Sequence, residues 1–374
     1  MSALPPEAYV AALAGFDRMS VHRLAALLRH GTPEHAWQVV RGQAPASGLV
    51  ANVLSDPAVR EAWQRNARDS DPSAVWSRCV ELGCRVLPYG HADYPCGLLD
   101  DLLPPPVLFA MGDLSLLAGR RVGVVGTRNA TAAGRQAAMR LGHGLAEQGV
   151  HVVSGLARGV DGWAHRGVLS AEGAGRPIGI VASGLDVVYP REHGDLWAAT
   201  ADCGLLLSEV PPGVPPAPHR FPMRNRIVAA LSEVVVVVES RERGGSLITA
   251  AEALDRGVPL MAVPGVPSNR AAAGTNNLLR DGAAPVIDAA DVLTVLQLDH
   301  SRSATVRMDQ RPRPRTDDVE VYRVLQREPR TIDGVALVAG LSLVEAAMRL
   351  ARLEAAGWIS GADGWFECAG APLR

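Results

Sequence analysis

An α/β protein with a mostly parallel sheet is predicted by three features of the 374-residue chain. Short apolar or β-branched runs at 122–125, 150–154, 177–181, 205–208, 234–239 and 258–263 are mostly separated by helical patterns of roughly 10 to 20 residues. Five consecutive valines, Val234 to Val238, need cover on both faces, which places that strand centrally among parallel neighbours. Aromatics supply only 4% of the chain, so the core must consist mainly of Val, Leu, Ala and Ile, as buried parallel strands require.

At roughly 150 residues per domain the length allows about two to three domains. Residues 1–84 predict a helical N-terminal domain. Leu24, Leu27 and Leu28 share a helix face, His30 to Pro33 punctuate a stop before a helix at 33–40, and further helices are expected at 57–68 and 73–82. Residues 85–298 form the expected Rossmann-like core, entered by a short strand at 85–87 and a proline-laced loop at 94–106. Residues 299–316, with Arg302, Arg307, Arg311, Arg313 and Arg315 broken by Pro312 and Pro314, have a linker's composition. In 317–374, helices at 318–327, 331–338 and 342–356 precede a hairpin at 357–360 and 365–368, the order of a winged helix. That segment holds more acids than arginines from Asp318 onward, a poor footprint for duplex DNA, so a protein contact or packing against another domain is the favoured role, with a regulatory role open.

The formal charge of −2 denies the chain a global field for polyanions, so any nucleic-acid site must be local. There is no lysine: all fixed positive charge is guanidinium, suited to bidentate pairing with phosphate, and a Walker lysine or a Schiff base is excluded. Five cysteines without a CxxC pair point to a reducing compartment, hence cytoplasm. No signal-peptide order and no 18-residue apolar stretch is present, so no membrane association is expected.

Candidate chemistry gathers at the strand exits, where open parallel sheets bind ligands. After the first strand, Gly126, Thr127 and Arg128 precede a helix whose free N–H groups suit an anion; a tight turn with its arginine capped by a carboxylate is the plain alternative. The dinucleotide pattern GxGxxG is missing. After the second strand, Ser154, Gly155, Arg158 and Gly159 form a narrow turn, with Asp161 expected to cap its helix and His165 either interior or ligand-facing. A third exit, Ser183-Gly184-Leu185-Asp186, has similar small residues.

The densest basic signal is Arg220, Arg224, Asn225 and Arg226, fit to cradle phosphates, unless Glu209 and Glu233 tie it into a structural knot. After the valine strand, Gly244 and Gly245 allow close approach, and Ser246 is placed to cap the next helix. Exits converging on one crevice would neutralise a phosphate backbone at several points.

The ordered set Val125-Gly126-Thr127-Arg128, Ser154-Gly155-Leu156-Ala157-Arg158-Gly159-Val160-Asp161, Gly184-Leu185-Asp186 with Tyr189-Pro190, Ser208-Glu209, Phe221-Pro222-Met223-Arg224-Asn225-Arg226 and Gly245-Ser246-Leu247-Ile248-Thr249 resembles the bacterial DNA-processing protein A (DprA/Smf) family from about residue 89 to 296. The resemblance implies a Rossmann-like core that binds single-stranded DNA, dimerises and loads RecA onto incoming DNA in natural transformation, without catalytic turnover and without a cofactor. It implies DNA-backbone contacts at Arg128 and the arginines of residues 221–226, in a pocket shaped by the glycines and serines. The core also looks like nucleoside-monophosphate phosphoribohydrolases, with Glu252 as acid-base, although Arg243 and Ile248 depart from their PGGxGTxxE pattern.

Overall fold

The structure, a computed structural model, describes residues 4–29, 31–298, 311–312, 314–362 and 364–369. The chain forms two compact units, Met1–His300 and Ser301–Arg374. Most of the expected linker, 299–310 and residue 313, lies outside the described residues.

Six helices open the first unit: α1 (Pro6–Ala14), α2 (Val21–Arg29), α3 (Pro33–Val40), α4 (Gly48–Leu54), α5 (Pro57–Asp69) and α6 (Pro72–Glu81). Proline leads α1, α3, α5 and α6, where its missing N–H costs no helical bond. Thr32, Asp56 and Asp71 cap α3, α5 and α6 by accepting from the N–H groups of His35, Ala58 and Ser73. Trp37 and Trp63 are buried with Leu13, Leu24 and Leu27, in an apolar cluster that continues through Val86, Phe109, Leu156 and Trp197. Helix α4 has no counterpart in the sequence reading.

The core carries a nine-stranded sheet: β1 (Arg85–Pro88), β2 (Val107–Gly112), β3 (Arg121–Val125), β4 (His151–Ser154), β5 (Pro177–Val181), β6 (Leu205–Ser208), β7 (Val234–Val237), β8 (Leu260–Ala262) and β9 (Ala284–Pro285). Its order is β1-β2-β6-β5-β4-β3-β7-β8-β9, parallel from β6 to β9 and antiparallel only at β1-β2 and β2-β6. All six expected core runs are strands. Strand β2, between β1 and β6, and the edge strand β9 went unread: β2 follows three prolines, and β9 is two residues long with no periodicity to detect. Every residue of β7 is buried, as its valine run requires.

Between the strands run α7 (Ala132–Glu147), α8 (Val160–Leu169), α9 (Gly194–Cys203), α10 (Arg220–Ala230), α11 (Ser246–Asp255) and α12 (Ala273–Arg280), and α13 (Ala289–Leu298) follows β9. The strands from β3 to β6 step to one side and β7 to β9 to the other, so the order reverses between β3 and β7, the switch point at which such sheets bind ligands.

The second unit packs α14 (Thr316–Arg327), α15 (Ile332–Ala339) and α16 (Leu343–Ala355) with β10 (Arg330–Thr331), β11 (Ile359–Ala362) and β12 (Trp365–Cys368) around Tyr322, Leu350, Leu353 and Trp358. A reciprocal Ser342–Glu345 capping box starts α16. Arg349 donates to the Asp317 carbonyl and Arg352 to Asp318, while Leu343, Val344 and Met348 face solvent. The two arginines of that helix are thus engaged within the unit. Among the described residues, no single helix is long and apolar enough to cross a membrane.

Candidate nucleic-acid interface

The exits of β3, β4 and β7 and the start of α10 meet in one crevice of about 660 Å³, walled by Gly126, Thr127, Arg128 and Asn129, by Gly155 and Asp161, by Phe221, Arg224 and Asn225, and by Arg241, Arg243, Gly244, Gly245 and Ser246. A smaller hollow of about 180 Å³ shares Arg128, Phe221 and Arg224 with it and adds Arg158 and Ser183.

Glycines set the depth of the crevice. Any Cβ on Gly155 would sit inside the Arg224 guanidinium, so only glycine lets that side chain lie against the β4 exit. Gly159 has φ +75°, and a Cβ there would enter the carbonyl oxygens of Thr127 and Arg128. The β3 and β4 exits are thereby locked together.

At the bottom lies Arg224, buried, donating from Nη1 to the carbonyls of Gly155 and Ile180 and from Nε to Asn225 Oδ1 at 3.2 Å. Asp161, also buried, accepts the N–H of Gly155 at 3.1 Å. Burial raises the Asp161 carboxyl and lowers the Arg224 guanidinium from their ordinary values, each charge offsetting part of the other's penalty. Asp161 therefore organises the β4 exit loop, and the expectation that it caps α8 is corrected. His165 is interior, fully buried, and held neutral by burial with its pKa pushed down to about 4.

Three further expectations change. The N-terminus of α7 is already filled: Thr131 caps it, and the buried Glu239 carboxylate accepts the Thr131 N–H at 2.8 Å and its hydroxyl at 2.6 Å. The carboxylate, which also lies against Gly134, takes the place that an anion would need at that helix start. Ser246 does not cap α11; its hydroxyl donates to Ser240 Oγ at 2.9 Å, no side chain caps Gly245, and that helix start opens on the crevice. The Gly184-Leu185-Asp186 exit turns away, since Asp186 pairs with Arg78 of α6 and accepts the Gly213 N–H at 2.7 Å.

The basic segment also divides, because it lies on the helix α10. Arg226 points away from the crevice and is buried, pairing with Glu209 and donating to the Leu103 carbonyl at 2.7 Å. The structural knot expected as an alternative holds for this residue. Arg220 donates to the Pro215 carbonyl at 2.5 Å and lines a separate cavity beside Met19 and Leu24. Ser154 is buried, its hydroxyl donating to the Val124 carbonyl at 2.6 Å, and is not among the crevice walls. Arg158 is exposed but paired with Glu192. Successive residues of a helix turn by about 100°, which a linear motif does not display.

Arg128, Arg241 and Arg243 are exposed at the crevice, and none has a salt bridge to a described carboxylate. The Arg128 guanidinium carbon lies 4.7 Å from the Phe221 ring centroid, and Tyr189 stands 5.5 Å from the same ring. Asn129, Tyr189, Arg241 and Arg243 were missed as site residues; position just beyond a strand end was the available signal. Glu252, the acid-base candidate of the hydrolase alternative, pairs with Arg256 and is not among the crevice walls.

A profile of the family described as DNA recombination-mediator protein A matches residues 85–297. This chain belongs to the DNA recombination-mediator protein A family. DNA processing protein DprA of Bacillus subtilis is 43% identical, covering 70% of this chain and 88% of that one. Protein Smf of Escherichia coli is 35% identical over 75% and 76%. Among solved members of the family, DNA processing protein A from Streptococcus pneumoniae superposes with TM-score 0.64 at 29% identity, covering 79% of this chain and 98% of that one. The Helicobacter pylori protein, described for its single-stranded DNA binding mode, gives TM-score 0.51 at 31% identity, over 58% and 96%.

Proposed function

We propose that this chain binds single-stranded DNA through its phosphate backbone and acts, without chemical turnover, as a mediator that loads RecA onto incoming DNA in natural transformation. The observation that carries the reading is the crevice at the β3/β7 switch point, with Arg128, Arg241 and Arg243 in no salt bridge to a described carboxylate beside the open start of α11. Guanidinium forks suit phosphate oxygens, and Phe221 and Tyr189 offer ring faces to unstacked bases. The Helicobacter pylori relative's single-strand binding supports the same substrate.

A dinucleotide fits poorly, because Glu239 fills the helix start its pyrophosphate would need. Glu252, the acid-base candidate for hydrolysis of nucleoside monophosphates, is paired with Arg256 and is not among the crevice walls. Five free cysteines agree with cytoplasmic action. A homodimer would place two crevices along one strand and raise avidity.

Fluorescence anisotropy with a labelled homopolymer tests the reading. Binding should weaken as salt rises, with a log–log slope of about −0.7 per phosphate neutralised. Tight binding indifferent to salt, or none, overturns it. A RecA filament assay on strands coated with single-strand-binding protein tests loading, and release of base from nucleoside monophosphates would restore the enzymatic alternative.

A further inference from the structure

Trp163, in the first turn of α8, leaves 36% of its surface in solvent. It walls a space of about 360 Å³ together with Arg128, Asn129, Arg135 and Gly159. Arg128 and Asn129 also wall the crevice, so the two spaces adjoin across these residues. The Trp163 backbone N–H donates to the Gly159 carbonyl at 3.1 Å and the Val160 backbone N–H to the Thr127 carbonyl at 3.3 Å, so the ring is carried on the locked β3–β4 turn rather than on a free loop.

Charge around it favours an anion. Neither Arg128 nor Arg135 pairs with a described carboxylate, whereas the nearby acids Glu192 and Asp195 are held by Arg158 and Arg166. Nothing in the crevice geometry uses this tryptophan.

We infer that Trp163 and Arg135 form a second subsite on the outer side of Arg128, in which Trp163 stacks one base of a bound single strand and Arg135 neutralises the adjoining phosphate. The inference rests on the single-stranded DNA reading and adds where the strand leaves the crevice. A duplex hides the base faces that an indole stacks on, so the subsite also selects for single strands.

The test uses the full chain and fluorescein-labelled thymidine oligomers of about 6 and about 15 nucleotides, lengths spanning the usual range of single-strand sites. Trp163→Ala should weaken the longer oligomer about tenfold and leave the shorter unchanged, with Trp163→Phe restoring most of the loss. Arg135→Gln should lower the magnitude of the salt slope by about 0.7 for the longer oligomer alone. An abasic unit scanned along the longer oligomer should cost the wild type about as much at one position, and cost Trp163→Ala nothing there. Wild-type affinity of both variants for the longer oligomer overturns this inference while leaving crevice binding intact. If the wild type binds neither oligomer, the single-stranded DNA reading fails and this inference with it.

Discussion

The guanidinium carbon of Arg128 stands 4.7 Å from the centroid of the Phe221 ring, joining the β3 exit to the start of α10 across the crevice. One residue offers charge and the other a ring face, so their losses should differ in kind. Arg128→Ala should lower the magnitude of the salt slope of oligonucleotide binding by about 0.7. Phe221→Ala should cost about 1–3 kcal/mol of affinity with less change in slope. Anisotropy at three salt concentrations separates them, and equal slope losses would refute the division of roles.

Arg224 and Arg243 both wall the crevice, but only Arg224 is buried beside Asp161. Arg224→Gln leaves the buried Asp161 without its opposing charge and two carbonyls without a donor, and should destabilise the fold by about 3–5 kcal/mol. Arg243→Gln should change stability by less than about 0.5 kcal/mol while weakening DNA binding. Urea denaturation of both variants checks the contrast.

Gly159 and Gly245 are equally small and should answer differently to one methyl group. Gly159 sits at φ +75° against backbone oxygens, so Gly159→Ala should cost more than about 1 kcal/mol and reduce DNA binding by parting the two exits. Gly245 has φ −61° with nothing within 4 Å of its Cβ position, so Gly245→Ala should fold as the wild type does. Any loss of DNA affinity in that variant then reports close approach of the strand to the α11 start.

His165 gives the protein an acid sensitivity. Its folded pKa of about 4 lies below the ordinary 6.5, so between those values the unfolded chain holds a proton that the folded protein refuses. Stability should therefore fall as pH drops through that window, by up to about 3 kcal/mol from this ring. His165→Gln should flatten the dependence, measured as urea midpoints from pH 7 to pH 4. An unchanged slope would assign the acid sensitivity to other groups.

The core strands and the terminal helices were legible because apolar runs and periodicity are local properties. Proline and Asp or Thr at helix starts, as at Asp56-Pro57 and Asp71-Pro72, are local as well. The site was legible as a set of strand exits, and Gly126, Arg128, Gly155, Arg224, Gly244 and Ser246 do converge. What the motif left open was which of its alternating arginines face the crevice. Arg224 and Arg226 lie on different sides of α10, one under the crevice and one against Glu209.

By itself, the sequence determined the α/β order, the central valine strand, the all-guanidinium positive charge and the family motifs, since each is written in residue type and spacing. Tertiary structure alone decided which charges remain available. Glu239 reaches Thr131 across 108 positions and Glu209 meets Arg226 across 17, so the filled α7 start and the silenced arginine exist only once the sheet brings distant strand ends together. The physical reason is that an ion pair depends on separation in space, and the chain order fixes that separation only through the packed fold.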